Sequence, residues 1–222
     1  MVGISSIGDT TVVTNKWMLG TRNSFFIGIC ATFLATALGT VAALGLSRPN
    51  MPFKGTIMAI LISPMIVPLI ITAAGMFFFY SKVGLTHSYL GLILAHTALG
   101  TPFVVITVTA TLTGFDTNLI RASQSLGADT MRTFFKVIMP LILPGVISGG
   151  LFAFITSFDE VVVVMFVGSV EQITIPKQMW AGLRQETSPV ILCMATCLVA
   201  LSIALLTTVS YTHLTLPTKR IV

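Results

Sequence analysis

Two carboxyl side chains, Asp159 and Glu160, stand side by side inside an otherwise apolar run from 146 to 168. Acids at membrane depth have three roles open to them: attracting a cationic substrate, carrying a proton, or bonding to a partner helix. An ionised Asp near a helix centre costs roughly 2.5–3.5 kcal/mol on insertion scales, so the pair costs about 5–7 kcal/mol. The run holds thirteen Val, Ile, Leu or Phe residues, which together return roughly 4–8 kcal/mol. The two sums nearly cancel, so the segment inserts only marginally and the acids are an expensive feature. Neighbouring positions on a helix point about 100° apart, so one acid is expected to face a pathway and the other a neighbouring helix or partner. Phe154 and Phe158 offer rings over which an ammonium gains about 0.5–2 kcal/mol. Trp180, in the 169–188 segment, reads as a gate, a docking residue or an interfacial anchor.

His96, beside Thr97 in another apolar run, is read as a packing histidine, with a proton relay as the alternative. Cys30, Cys193 and Cys197 all fall in apolar runs. Although the last two are four apart, no His or acid joins them, so they read as small packing residues without a disulfide framework. There is no H-E-x-x-H and no Ser or Cys nucleophile with a base partner, which leaves an intramembrane enzyme unsupported. The phosphate-cradling G-x-x-x-x-G-K-[ST] loop is absent, so the chain is not itself an ATPase.

The elements that must hold these groups follow from composition. The chain is 55% hydrophobic and 9% charged, with mean hydropathy +0.97, where a soluble domain carries about 25% charged residues. Charge-free intervals at 24–47, 55–81, 83–115, 137–158 and 187–218 each reach or approach the ~20 residues that cross a bilayer. Spans must satisfy their backbone internally, and these runs do not alternate as barrel strands do. The expectation is an all-α polytopic membrane protein of five spans, roughly 24–46, 57–80, 90–113, 144–168 and 190–210. The net charge of +5 is spread thinly over loops, which leaves no basic face for nucleic acid. Ala35, Gly39 and Ala43, and again Gly145 and Gly149, form small-residue stripes suited to close helix contact. Pro64, Pro68 and Pro102 each remove a backbone donor inside a span. Residues 1–16 lack the regions of a signal peptide.

Between 115 and 140 the chain turns polar: Arg121-Ala122-Ser123-Gln124-Ser125-Leu126-Gly127-Ala128-Asp129. Asp116 or Thr117 is suited to cap a short helix, Gly127 to end it in a left-handed turn, and Asp129 to cap a second helix. Met131, Phe134, Phe135 and Ile138 fall at i, i+3, i+4 and i+7, one apolar stripe, with Pro140 and Pro144 marking entry to the next span. On pattern alone this helix–turn–helix is either a docking element or a connector resting on lipid headgroups.

Arg121-Ala122-Ser123, then Gly127, then Val137-Ile138-Met139-Pro140 resembles the EAA loop of ABC importer permeases: E-A-A, three residues, G, nine residues, I, one residue, L-P. The spacing fits without a gap, with Arg121 in place of the acid. Ser157-Phe158-Asp159-Glu160-Val161-Val162-Val163, followed by 175–184 and Ser188-Pro189, is similar to the C-terminal half of spermidine/putrescine-type permeases. The resemblance covers residues 10–209. It implies a type I ABC importer transmembrane domain in a bacterial inner membrane, occupying 1–210. Such permeases usually have six spans, so one is expected before residue 1, and 211–222 resembles translated adaptor sequence.

What the resemblance implies for function is import driven from outside the chain. The partners would be a second permease, two ATP-binding subunits and a periplasmic or surface solute-binding protein, all within a lipid bilayer. No cofactor would be bound by this chain; ATP and Mg would serve the ATPase. Arg121, Ala122, Ser123, Leu126, Gly127, Met131, Phe134, Phe135 and Pro140 would couple to that ATPase. Phe154, Phe158, Asp159, Glu160 and Trp180 would line the path of a polyamine, with an opine, another organic cation or a metal ion as alternative cargo. A proton-coupled secondary transporter using Asp159, Glu160 and His96 is the rival; it would show inverted repeats, which are not seen. The loop is cytoplasmic in that family, and this alone sets the orientation, because Lys and Arg divide five against five between the two sides.

Overall fold

The computed structural model describes residues 6–48, 50–116, 118–185 and 189–215, and among them all regular structure is helical. Three long helices make the core: α1 (Ser6–Leu46), α4 (Tyr89–Thr113) and α7 (Met139–Phe158). Between the first two lie α2 (Lys54–Ile66) and α3 (Leu69–Val83); between the last two, α5 (Asn118–Ser125) and the short α6 (Thr130–Thr133). The chain closes with α8 (Val162–Val167), α9 (Ile175–Gln185) and α10 (Pro189–Thr215). Among the described residues four helical stretches are long and apolar enough to cross a membrane, and α2 with α3 makes a fifth if the bent pair counts as one span.

The small-residue stripes set the core spacing. A Cβ on Gly39 would stand 2.6 Å from Cβ of Val104, and one on Gly149 2.8 Å from its Cα. Only glycine lets α1 and α7 approach α4 from two sides. Ala35 and Ala43 are fully buried. The pairings also fix direction. Thr97 reaches the Ala31 carbonyl and Gly39 meets Val104, so α1 and α4 run parallel. Gly100 meets Ala153 while Gly149 meets Val104, so α7 runs back against α4. The 115–139 hairpin and the 169–185 segment are therefore at opposite ends of the bundle. Two apolar clusters fill it, one around Ile27, Leu92 and Val164, the other around Ala43, Val108 and Ile142.

The structure corrects four expectations, two of them about spans. The second is not one helix: α2 and α3 meet at 103°. Val67, held extended at φ −71°, ψ 136° by the proline after it, ends α2. Pro68 opens α3, while Pro64 is tolerated inside α2. The fourth span is not 144–168. Its helix begins at Thr130 and stops at Phe158, so Asp159 and Glu160 lie in a break before α8. The second helix of the hairpin is likewise no separate surface element. It passes through a π-helical turn, Phe134–Ile138, straight into α7. This wide turn precedes Pro140, whose ring would otherwise crowd the carbonyl four residues back. Finally, Cys193 and Cys197 are exposed on α10 rather than packed in the chain, with Cys30 half-buried. Among the described residues no cluster of His, Cys and acids suits a metal. Thr117, Ser188 and residues 216–222 lie outside the described residues.

Candidate functional site

The break after α7 has a local cause. An oxygen of Glu160 accepts the Val163 amide at 2.8 Å, capping the first turn of α8 as a side-chain acceptor at a helix start does. The capping interaction competes with continuation of α7, and it satisfies one of the two costly carboxylates. Glu160 is 7% exposed; Asp159, at the C-cap of α7, is open.

Around these acids are two cavities of about 360 Å³ each, sharing Leu69, Thr156 and Glu160. One adds Ile155, Asp159, Val161 and Val162. The other runs along the α2–α3 break from Pro64 to Leu69 and is closed by Leu99 and Phe103. The two interrupted spans thus face each other across Glu160. Irregular backbone at such depth is tolerated where it lines a cavity.

Of the expected pathway residues, the structure brings Asp159 and Glu160 together and places the others elsewhere. Phe158 packs edge-on against Phe25 of α1 at 4.9 Å and stacks with Phe154 at 5.3 Å, and both rings close over Gly28. Trp180, 44% exposed, stands on α9 and lines neither cavity. The ring that does line one is Phe103, stacked on Phe152 at 6.2 Å. Its only sequence signal is its place seven residues after His96, on the same face of α4. His96 is buried between α4 and α7, with Nδ1 2.7 Å from Oγ of Ser157.

The hairpin is built as its residues require. The Asp116 carboxylate accepts the Asn118 amide at 2.9 Å and Asp129 that of Arg132 at 2.8 Å. Gly127 has φ +80°, and the hydroxyls of Ser123 and Thr133 bond across the turn at 2.9 Å. The apolar stripe divides. Phe134 and Ile138, with Met131 at the rim and 66% exposed, line a groove of about 430 Å³ against Leu44 of α1, Leu112 of α4 and Ile120 of α5. Phe135 and Leu126 point away, 59% and 88% exposed. Arg121, Ala122 and Pro140 are also exposed.

At the other end a polar clamp had no clear sequence signal. Asn23 of α1, 1% exposed, donates to the carbonyls of Glu171 and Ile173 at 2.8 and 2.9 Å, and accepts from the Tyr89 hydroxyl at 3.1 Å. Ser24 accepts the Ile175 amide at 2.9 Å, capping α9 from another helix. The Lys177 ammonium donates to the carbonyls of Val164, Gly168 and Ser169 at 3.1–3.3 Å; burial pushes its pKa below the ordinary lysine value.

Broken apolar helices around paired acids, with an ordered polar hairpin at one end, define a membrane transport component. Residues 35–217 match the family described as binding-protein-dependent transport system inner membrane component, and the chain belongs to it. It is 33% identical over 183 residues to the spermidine/putrescine transport system permease protein PotC of Haemophilus influenzae, covering 82% of this chain and 71% of that one. With PotC of Escherichia coli it shares 29% over 209 residues, covering 91% and 79%. With the putrescine transport system permease protein PotI of Escherichia coli it shares 31% over 183 residues, covering 78% and 64%. In fold it is similar to the inward-facing MetNI methionine ABC transporter, with TM-score 0.73 at 21% identity over 89% of this chain and 94% of that chain. An amino acid ABC transporter gives 0.67 at 14% identity over 94% and 97%. The type I importer architecture follows from these likenesses, and family and apolar helices together imply a multi-pass inner-membrane permease subunit rather than an enzyme.

Proposed function

We propose that this chain carries polyamines, spermidine or putrescine, across the inner membrane, with Asp159 and Glu160 as the charged part of the path. The observation that carries this reading is the pair of cavities meeting at Glu160, with Asp159 open to one of them. A flexible cation with several ammonium groups loses hydration on entering such a place, and carboxylates in a low-dielectric surrounding offset part of that loss. The apolar remainder of the lining, with Leu69, Leu99 and Phe103, suits the methylene stretches between the ammoniums. The names of the relatives support the same cargo.

The energy would come from two ATP-binding subunits, which use ATP and Mg, docked on the hairpin around Gly127. A second permease would complete the passage, and a solute-binding protein would deliver cargo at the α9 end. In this arrangement Leu126, Met131 and Phe135 are the exposed knobs that would meet the ATPase, while Phe134 and Ile138 would seat the hairpin on its own bundle. The test is ATP-driven uptake of labelled spermidine by the assembled importer in proteoliposomes. Asp159→Asn with Glu160→Gln should reduce uptake at least tenfold with subunit assembly intact. Normal uptake by that double variant removes the acids from the path.

A further inference from the structure

The function just proposed leaves one buried polar pair unused. His96 is 1% exposed and Ser157 6% exposed, and a side-chain bond between them joins α4 to the last turn of α7 at 2.7 Å. Nε2 of the same ring is buried with no hydrogen-bond partner among the described residues. An apolar residue of similar size would avoid the desolvation cost of that nitrogen, so a histidine here is costlier than space-filling requires. The pair also stands at a particular place. Ser157 is two residues before the open Asp159 and three before Glu160. His96 shares its face of α4 with Leu99 and Phe103, which line the second cavity. The last turn of α7 before the break therefore has a fixed tether on one side and the carboxyls on the other.

We infer that His96 is a positioning residue for the cation path: through Ser157 it fixes the angle at which the α7–α8 junction presents Asp159 and Glu160 to the cavities. The inference rests on the role proposed above for those two acids. No proton is moved in it; the ring serves either as the acceptor of the serine hydroxyl or as its donor, according to its tautomer. Because α4 and α7 also pack through glycines, the bundle holds together without this bond, and what the bond adds is the orientation of one turn.

Transport of labelled spermidine by the assembled importer tests it, with KM and maximal rate measured separately and assembly and basal ATPase activity as controls. His96→Leu and Ser157→Ala should each raise KM about tenfold, the size of a coupling of about 1.4 kcal/mol between neighbouring groups. The double variant should be no worse than either single one, as expected when both changes delete the same bond. His96→Asn, whose amide lies near the position of Nδ1, should restore KM to within about threefold, which a purely space-filling role does not predict. Should His96→Leu fail to assemble, Ser157→Ala removes the bond from the other side with a smaller change. Unchanged KM in Ser157→Ala, additive losses in the double variant, or no rescue by Asn in an assembled complex each overturn the inference. Normal uptake by Asp159→Asn/Glu160→Gln defeats the role of the acids and this inference with it. Inactive acid variants beside a normal His96→Leu defeat this inference alone.

Discussion

At the α7–α8 junction one carboxylate oxygen of Glu160 is already engaged by the Val163 amide, whereas Asp159 is open to the neighbouring cavity. The two acids should therefore separate under mutation. Glu160→Ala removes a helix-start cap and should cost about 1 kcal/mol of stability, read as a lowered melting temperature in detergent. Glu160→Gln keeps an acceptor oxygen and should cost less. Asp159→Asn, at an exposed position, should change stability by no more than about 0.5 kcal/mol while weakening cation uptake. Equal loss of stability from both positions would contradict the division. The acids themselves were legible, because two carboxyls in an apolar run are too costly to be incidental. What hydropathy hides is that Glu160 bonds to its own backbone three residues on. A continuous helix was the natural expectation, and it carried Phe154 and Phe158 into the pathway along with the acids. With α7 ending at Phe158, those rings pack against Phe25 and Gly28 and line neither of the two cavities at the acids.

The helices that were legible are those whose ends coincide with their hydropathy. α4 begins at Ser88, which caps the Gly91 amide at 3.0 Å, and ends at Gly114, near the bounds read from sequence. α2 and α3 were read as one span because two prolines give no measure of the bend; only the extended Val67 does. The clamp on α1 was hidden for another reason. A lone Asn beginning an apolar run does not reveal carbonyl partners about 150 residues away in sequence, at Glu171 and Ile173. That clamp should hold the loop before α9 to α1. Asn23→Leu leaves the Ile173 carbonyl without its side-chain donor and the Glu171 carbonyl with the Tyr89 hydroxyl alone, and should cost roughly 1–3 kcal/mol in urea or thermal unfolding. Arg22→Ala, at an exposed neighbouring position, should fall within about 0.5 kcal/mol. If the two behave alike, the bonds of Asn23 do not stabilise the loop.

Across the whole molecule, the pairing of α1 with α4 and of α4 with α7 puts the hairpin and α9 at opposite ends, a separation that the evenly divided charges could not supply. Under the proposed function, motion imposed on the hairpin would reach the carboxyl junction along α7. The route is direct, because α6, the π-helical turn and α7 form one continuous apolar helix from Thr130 to Phe158. Gly127 sets the angle at which α5 meets that helix. At φ +80°, with nothing within 4 Å of a Cβ placed there, it is required for its backbone conformation and not for space. A β-branched residue in this left-handed region is a genuine outlier, and the conformation costs an ordinary L-residue roughly 1–2 kcal/mol. Gly127→Val should therefore swing α5 out of register and uncouple ATP hydrolysis from uptake in the reconstituted importer, with the complex still assembled. Gly127→Asn adds a side chain of similar bulk but adopts the left-handed conformation more readily, so it should retain most of the coupling. If Val and Asn lower uptake per ATP equally, added bulk at residue 127, and not the angle of the turn, accounts for the loss.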